Sequence, residues 1–497
     1  DKDASSAFLK YKDFSHYADY FNGMEDENIV QAIPNARASE WMEDNIPLFE
    51  CPQRNFEEMY YYRWWSLRKH IKETPVGYGM TEFLVQRSYS DKYNLIACAI
   101  GHHIYESRWL RDPKYLDQII HTWYRGNDGG PMKKMNKFSS WNADAVLARY
   151  MVDGDKDYLL DMKKDLETEY QRWERTNRLK NGLYWQGDVQ DGMEESISGG
   201  RRKKYARPTI NSYMYGNAKA LSCIGILSGD EGMAMKYGMR ADTLKNLVEN
   251  ELWNTRHQFF ETMRTDSSAN VREAIGYIPW YFNLPDTTQK YEIAWKEIMD
   301  EKGFSAPYGL TTAERRHPEF RTRGVGKCEW DGAIWPFASA QTLTAMANFM
   351  NNYPQTVLSD SVYFRQMELY VESQYHRGRP YIGEYLDEVT GYWLKGDQER
   401  SRYYNHSTFN DLIITGLIGL RPRLDNTIEV NPLIPADKWD WFCLDNVLYH
   451  GHNLTILWDK NGDRYHCGKG LRIFVDGKEV GQANTLTKII CENALKW

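Results

Sequence analysis

Residues 155–178 read DKDYLLDMKKDLETEYQRWERTNR and give the clearest indication of the fold. Apolar side chains recur three and four positions apart between charged ones, as in an amphipathic α-helix. The same spacing returns in residues 232–253. From about residue 85 to about residue 420 we count roughly ten to twelve such segments, without alternating strands. The chain is therefore predicted to be mainly α, because a parallel α/β sheet requires strands between the helices.

The pattern changes near residue 420. Three short runs of β-branched and aromatic residues follow, and two of them end in hairpin signals, Asp459–Asp463 and Asp476–Gly477. We therefore expect a small C-terminal β module. The predicted strands are 427–430, 454–458 and 471–475, and the predicted division is an N-terminal arm or cap (1–59), a helical domain (60–420) and the β module (421–497).

Composition narrows the range of functions. The chain has 497 residues, 42% of them hydrophobic, and a net charge of −7, so it lacks the basic footprint of a nucleic-acid-binding protein. Its seven cysteines are widely spaced without a C-x-x-C pair, which argues against a disulfide framework and against a structural zinc site. We expect no cofactor, no metal and no nucleic acid.

The sequence also bears on location. We expect no membrane span, because no run of eighteen apolar residues occurs. The first residues, DKDASSAF, lack the charged and apolar regions of a signal peptide. We expect a periplasmic or secreted protein whose signal peptide has been removed, with a cytoplasmic protein as the alternative.

An acidic loop is the first candidate for chemistry. Residues 187–200, GDVQDGMEESISGG, hold the carboxyl groups of Asp188, Asp191, Glu194 and Glu195. A general acid keeps its proton near neutral pH when its carboxyl group lies against apolar surface or beside another negative charge. Met193 and the neighbouring carboxylates could supply both conditions. A solvated acidic turn or a cation site is an equally weighted alternative.

A second carboxyl-bearing loop follows at residues 383–393, GEYLDEVTGYW. Glu384 lies there between glycine and aromatic residues, ahead of a polar and aromatic run at 403–409. Two carboxyl groups on separate loops suit a glycosidase, in which one protonates the leaving oxygen and the other activates water or attacks carbon. The alternative for Glu384 is an ordinary salt bridge beside a helix.

Aromatic residues make up 14% of the chain and gather in three clusters that also carry polar groups. Such clusters can stack on the apolar faces of sugars while binding their hydroxyl groups, although packing in a large helical core is an equally good explanation. The clusters are YYYRWW (60–65), RPTINSY (207–213) and CEWDGAIWP (328–336).

The order of these motifs resembles a known family. DGMEES, RPTINSYMYGNAKAL, YGLTTA, WDGAIWP, GEYLDEVTG and FNDL follow one another as in the (α/α)6-barrel glycosidases related to glycoside hydrolase families 63 and 37, the trehalase-like clan. Mannosylglycerate-hydrolase-like domains are the most similar members. The resemblance covers about residues 60–420. It implies an (α/α)6 toroid barrel of six helical hairpins.

The resemblance also implies catalytic roles. Carried over by position, Glu194 is the general acid and Glu384 the general base of an inverting, exo-acting glycoside hydrolase that degrades an oligo- or polysaccharide. Glu194 replaces the usual aspartate, and one extra methylene moves a carboxyl group by roughly 1.5 Å. Asp191 or Asp188 therefore stays open as the acid, with Glu194 then binding sugar.

Further residues are expected to contact the sugar, partly from the clusters and partly from the resemblance. They are Arg63, Trp64, Trp65, Trp141, Asp144, Trp185, Asp188, Arg207, Asn211, Trp330, Asp331, Trp335 and Tyr385. Two other functions stay open: a polysaccharide lyase, using Tyr and His beside a cation that neutralises a uronate, and a non-catalytic glycan-binding protein with a degenerate site.

Overall fold

The computed structural model describes residues 8–288 and 290–496. Helices dominate up to Leu417, and a β-sheet follows, so the prediction of a mainly α chain with a small C-terminal β module is confirmed. The first seven residues of the predicted arm lie outside the described residues. The helices are α1 (Ser15–Asn22), α2 (Ala38–Asn45), α3 (Arg54–Lys69), α4 (Ile100–Ser107), α5 (Lys114–Arg125), α6 (Asn142–Asp153), α7 (Lys156–Asp161), α8 (Lys163–Asn177), α9 (Pro208–Leu227), α10 (Glu231–Leu247), α11 (Ile278–Tyr281), α12 (Pro336–Asn352), α13 (Asp360–Ser373) and α14 (Asn410–Leu412).

The 155–178 stretch folds as two helices rather than one. Asp155 caps α7 by accepting a hydrogen bond from the backbone N–H of Tyr158 (3.1 Å). The chain then breaks at Met162, which lies between α7 and α8. Met162 is fully buried. The apolar spacing therefore identified the helical segment, whereas the short interruption at Met162 was not visible in it.

Six helices contact one another in a closed circle. α4 packs on α6, α6 on α9, α9 on α11, α11 on α12, α12 on α14, and α14 on α4. α9 and α12 both begin with proline, which suits a first helical turn because that turn needs no N–H donor there. The segments that precede five of these six helices, all but α11, line one cavity, described below.

The strands form short hairpins beside the helices and one larger sheet. The hairpin strands pair in sequence order, β2 with β3, β4 with β5, β6 with β7, β8 with β9 and β10 with β11. The strands are β1 (Leu48–Glu50), β2 (Ile71–Thr74), β3 (Gly77–Met80), β4 (Trp185–Gln186), β5 (Tyr205–Ala206), β6 (Trp253–Asn254), β7 (Phe259–Phe260), β8 (Ser305–Ala306), β9 (Gly309–Leu310), β10 (Tyr375–His376), β11 (Arg379–Pro380), β12 (Ile428–Val430), β13 (Trp441–Tyr449), β14 (His452–Asp459), β15 (Gly470–Val475), β16 (Lys478–Ala483) and β17 (Ile489–Cys491).

The larger sheet joins the two ends of the chain. Its order is β1-β13-β14-β15-β16, all antiparallel, and β1 comes from the predicted N-terminal arm. Phe49 lies opposite Leu444, and both are fully buried. β14 and β15 form the hairpin expected after Asp459, although the chain re-enters the sheet at Gly470 rather than at Arg464. The arm thus supplies an edge strand to the C-terminal sheet.

The core runs through the helices and into this sheet as one cluster of buried apolar and aromatic side chains. Many of the 18 tryptophans are in it, which explains much of the aromatic content without a ligand. None of the helices within residues 8–288 and 290–496 is long and apolar enough to cross a membrane.

Candidate active site

One cavity of about 500 Å³ contains both predicted catalytic carboxyl groups. Its walls come from the segments that precede α4, α6, α9, α12 and α14. Glu194, Glu384, Trp330 and Trp335 line it, as the sequence predicts for a sugar-binding pocket. The segments before these helices therefore bring together side chains from five distant parts of the chain.

The acidic loop reaches the cavity through a sharp turn at Gly192. Gly192 has a φ of 72°, in the left-handed region, and a Cβ there would lie 3.3 Å from Sγ of Cys98. The turn lets the backbone N–H of Met193 donate to the carbonyl of Asp188 (2.9 Å). Met193 is buried, and Glu194 comes next and lines the cavity. A glycine at this position thus fits the close approach of the loop to Cys98.

Glu194 has the protonation expected of a general acid. Burial raises the pKa of its carboxyl group to about 7, and the negative charges of Glu384 and Asp188 add to that rise. Its half-buried side chain stays in reach of the cavity. A substantial fraction of Glu194 is therefore protonated at neutral pH, which a proton donor requires.

Glu384 has a different environment. Burial raises its pKa, and the positive charges of Lys395, Arg400 and Arg87 oppose that rise. Its Oε2 is buried and accepts no hydrogen bond from any described residue. Burial thus raises the pKa of both carboxyl groups, but cations oppose that rise at Glu384, whereas the neighbouring carboxylates Glu384 and Asp188 add to it at Glu194, a difference that suits an acid and base pair.

A column of stacked rings supports Glu384. Trp330 stacks on Trp335 (ring centroids 4.6 Å apart), and Trp335 stacks on Tyr385 (4.4 Å). The backbones of Ile334 and Leu386 also exchange two hydrogen bonds of 3.0 Å. This bridge fixes the tryptophan-bearing segment to the segment that carries the base.

Two residues expected at the sugar instead support this column. Tyr385 is buried behind Trp335, and its hydroxyl group donates to the carbonyl of Lys327. Asp331 is buried and accepts hydrogen bonds from the backbone N–H groups of Arg323 (2.7 Å) and Gly324 (2.9 Å). Neither lines the cavity. Their expected sugar contact is therefore corrected to a role in shaping the wall.

The cluster at 63–65 is also away from the cavity. Arg63 is buried and donates to Gln374 (2.8 Å) and to the carbonyl of Ser407 (2.9 Å). Trp64 and Trp65 are buried on α3. The amphipathic spacing of this helix buries the rings in the core, so the expectation of a stacking wall for sugar is corrected.

Four further expected ligands lie outside the cavity lining. Trp141 is fully buried and donates to the hydroxyl group of Tyr281 (3.1 Å). Asn211 bonds in both directions with the backbone of Tyr184. Trp185 is partly exposed, with Nζ of Lys204 4.5 Å from its ring centroid. Asp144 is the fourth and is described next. Buried partners, rather than a ligand, satisfy the polar groups of Trp141 and Asn211.

The buried carboxyl group of Asp144 makes the stability of the folded protein depend on pH. Its carboxyl group accepts a hydrogen bond from the hydroxyl of Tyr105 (2.6 Å), and burial raises its pKa from 3.8 to about 7. The folded state therefore holds this proton more tightly than the unfolded chain. The protonated carboxyl group of Asp144 adds to the free energy of unfolding below about pH 4, and this stabilisation is lost as the pH rises through about 7. We expect the melting temperature of Asp144→Asn to rise relative to the wild type across that window, measured by calorimetry.

The exposed Asp157, whose carboxyl group forms none of the ion pairs found among the described residues, supplies the control. Asp157→Asn should differ from the wild type by an amount that does not change with pH. If the Asp144→Asn difference were equally constant, the buried carboxyl group would not be the source of the pH dependence.

Asp191 and Asp188 hold the acidic loop rather than lining the cavity. Asp191 pairs with Arg207 (2.7 Å) and accepts hydrogen bonds from the hydroxyl groups of Thr209 (2.5 Å) and Ser139. Asp188 is fully buried and accepts from Oγ of Ser196 (3.3 Å) and from a backbone N–H. The geometry therefore favours Glu194 over either aspartate as the acid, and it gives Arg207 a structural partner in place of the expected sugar.

Replacing Asp191 by asparagine distinguishes a structural role of this residue from a role as the general acid. Arg207 is fully buried, and loss of its counter-ion leaves an uncompensated charge, which costs about 3–5 kcal/mol in the free energy of unfolding. We expect a large loss of stability in denaturant titrations. Asp440→Asn is the control, because Asp440 pairs with Lys460 at exposed positions and such pairs contribute about 0–1 kcal/mol. A D191N protein of normal stability without activity would make Asp191 the acid instead.

The cavity also contains residues that the sequence analysis did not assign. Glu82 is buried, accepts hydrogen bonds from Sγ of Cys98 (3.2 Å) and the hydroxyl of Tyr404 (3.0 Å), and has its pKa raised by burial to about 8. His406 also lines the wall, and burial lowers its pKa well below its usual range, so the ring is neutral. Glu82 lies in the long segment between β3 and α4, where its sequence neighbours do not mark it as a site residue.

Two family models match the chain. The model of the mannosylglycerate hydrolase MGH1-like glycoside hydrolase domain matches residues 92–407, and the C-terminal domain of glycosyl hydrolase family 65 matches residues 420–481. The first match includes Glu194, Glu384 and the tryptophan-bearing segment. Glu82 lies just before it.

Solved structures agree at the level of the fold. A chain named Sialidase is 94% identical over 100% of this chain, with a TM-score of 0.99. This chain spans only 46% of that protein. The GH63 mannosylglycerate hydrolase from Thermus thermophilus in complex with glucose has a TM-score of 0.53 at 13% identity, over 72% of this chain and 99% of its own.

A GH78 family rhamnosidase of Bacillus sp. GL1 has a TM-score of 0.59 at 10% identity, over 86% of this chain and 41% of its own. At such identities the last two matches concern the fold alone. The family-model match spans most of the chain and includes most of the cavity lining with its two carboxyl-bearing loops. The chain belongs to the mannosylglycerate hydrolase MGH1-like glycoside hydrolase domain family.

Proposed function

We propose that the chain is an exo-acting, inverting glycoside hydrolase, with Glu194 as general acid and Glu384 as general base. The observation that carries the proposal is that both carboxyl groups line one cavity of about 500 Å³, with neighbouring carboxylates adding to the raised pKa of Glu194 and cations opposing the rise at Glu384. In the proposed reaction Glu194 gives its proton to the leaving oxygen. Glu384 takes a proton from the attacking water on the opposite face of the sugar.

The closed circle of helix contacts supports the barrel that the family resemblance implies. We infer an (α/α)6 toroid in which α4, α6, α9, α11, α12 and α14 form the inner ring. A cavity lined by the segments before five of these helices is what such a ring would produce at one end. Attack at a chain end suits a cavity of this size, because ligand pockets of about 300–1,000 Å³ enclose a small molecule rather than a long chain.

The stereochemistry of the first product tests this mechanism. An inverting pair needs room for water, with its carboxyl groups about 6.5–9.5 Å apart. We expect proton NMR during early turnover to show a product of opposite anomeric configuration, released one unit at a time from the chain end. Retained configuration would overturn inversion, and internal cleavage would overturn the exo mode.

Substrates for this test should come from a broad panel. We propose nitrophenyl glycosides together with plant and host oligosaccharides, and sialosides belong in the panel because the 94% identical chain is named Sialidase. Export to the periplasm or the medium is likewise proposed. Cell fractionation of the native source would test it.

One observation favours a second function, a polysaccharide lyase. Tyr404 and His406 line the cavity beside cations, and a lyase needs such groups next to a neutralised uronate. A product with a new carbon–carbon double bond, absorbing in the near ultraviolet, would establish elimination. Products without that absorbance and with one added water would establish hydrolysis.

A further inference from the structure

The cavity has a charge opposite to that of the whole chain. The chain has a net charge of −7, yet seven Lys and Arg residues line the cavity against four Glu residues. Even if all four carboxyl groups are ionised, positive charge is in excess. The basic residues are Arg87, Lys137, Arg201, Arg202, Lys327, Lys395 and Arg400.

Most of this positive charge has no counter-ion in the protein. Arg201 pairs with Glu195, whereas the other six basic residues form no ion pair with a residue of the described chain. Arg87 instead lies over the ring of Phe83 (5.2 Å to the centroid), and its buried Nε has no hydrogen-bond partner among the described residues. Lys395 lies 5.2 Å from the ring centroid of Tyr385. These groups are therefore available to a ligand.

Three of the unpaired cations surround the proposed base. Lys395, Arg400 and Arg87 each oppose the burial-driven rise in the pKa of Glu384. Lys395 and Arg400 come from the segment after Glu384, and Arg87 comes from a segment nearly three hundred positions earlier in the chain. Positive charge thus reaches Glu384 from two separate parts of the fold.

Neutralising the carboxyl groups does not account for so many cations. Glu195 already has Arg201, and Glu82, whose pKa burial raises to about 8, is mostly uncharged at neutral pH. That leaves Glu194 and Glu384 facing six basic side chains. A cavity with a surplus of one sign of charge concentrates ligands of the opposite sign.

We propose that the glycan recognised here carries an anionic group, a carboxylate or a sulfate ester, that Lys395, Arg400 and Arg87 bind beside Glu384. This inference rests on the proposed function for its placement of the group near the reacting bond. Lysine and arginine both bind such groups through charge-assisted hydrogen bonds, and the arginine fork fits two oxygens of one group.

A binding measurement on Glu194→Gln protein tests the inference without turnover. The probes are oligosaccharides bearing glucuronate, N-acetylneuraminate or O-sulfate, each beside its carboxyl-reduced or desulfated counterpart. We expect the anionic member of at least one pair to bind roughly 10- to 100-fold more tightly, as one or two charge-assisted hydrogen bonds provide. The preference should shrink as salt screens the charges.

Two double variants in that same background locate the site. Lys395→Gln with Arg400→Gln should remove the preference while neutral glycans bind within about threefold of their former affinity. Lys164→Gln with Lys180→Gln makes the same change in net charge at exposed positions outside the cavity lining and should leave the preference intact. Melting temperatures of both variants verify folding.

The outcomes separate this inference from the proposed function. Equal binding of charged and neutral partners, no binding of any anionic probe, or a preference that survives loss of Lys395 and Arg400 would overturn the inference. Anionic glycans that bind but are never cleaved by the wild type would overturn the hydrolase instead. A preference for carboxylate or for sulfate identifies which of the two groups the site takes.

Discussion

Replacing Glu384 by glutamine should reduce turnover by about 10²–10⁴-fold, the usual contribution of a general base. The amide keeps the shape of the side chain but cannot accept a proton from water. Because Oε2 of Glu384 accepts no hydrogen bond from a described residue, the change breaks no protein contact of that atom. The variant should therefore melt like the wild type, and initial rates at saturating substrate measure the loss.

A matched control comes from the same segment. Glu399 is exposed and does not line the cavity, so Glu399→Gln should keep wild-type rates. Azide or formate added to the Glu384→Gln protein should restore part of the activity, because a small anion can attack carbon or take the proton in place of the carboxylate. Residual activity within about tenfold of the wild type would place the base on another residue.

Replacing Glu194 by glutamine should produce a loss that depends on the leaving group. A poor leaving group needs the proton of Glu194, so its hydrolysis should fall by about 10²–10⁴-fold. A dinitrophenyl glycoside leaves without protonation and should lose far less. The wild-type rate should decline as the pH rises through about 7, where Glu194 loses its proton, and the variant should lack this decline.

Glu82→Gln is the paired variant for this experiment. Glu82 has its pKa raised by burial to about 8, so glutamine mimics its uncharged form at neutral pH. Both of its oxygens already accept hydrogen bonds from the protein. We expect a change in rate below about tenfold that does not depend on the leaving group. If the two variants exchanged these behaviours, Glu82 would be the acid.

The two carboxyl groups predicted from the family resemblance line one cavity. The glycines of the acidic loop and the aromatic residues around Glu384 are visible in the sequence letters, whereas the left-handed turn at Gly192 appears only in the structure. Trp330 and Trp335 are likewise predicted to line the pocket, and Trp335 directly precedes the proline that begins α12. These residues lie in the segments between helices, and the helices of the contact circle turn those segments towards one cavity.

The remaining site residues show where sequence patterns fail. Trp64 and Trp65 have the composition of a sugar-stacking wall, but their positions on α3 turn them into the core, and a single sequence does not say which helix faces which. Asp191 carries the same charge as Glu194 three positions away. Only the approach of Arg207, from the start of the next helix, distinguishes them.

The cations were missed for a related reason. Arg87, Lys137 and Arg400 lie in three separate segments, and each is ordinary beside its own sequence neighbours. The surplus of positive charge in the cavity exists only after folding has brought these segments together. Net charge of the whole chain, which is −7, indicated the opposite sign.

The pairing of β1 with β13 has a consequence for synthesis. Leu48 leaves the ribosome almost four hundred residues before its partner Asp445 is made. Until then β1 has no partner strand, and the sheet cannot close. The sheet is thus completed through a contact between parts of the chain that are far apart in sequence, which slows folding. A shortened chain lacking β1 would expose the edge of β13 and be prone to aggregate.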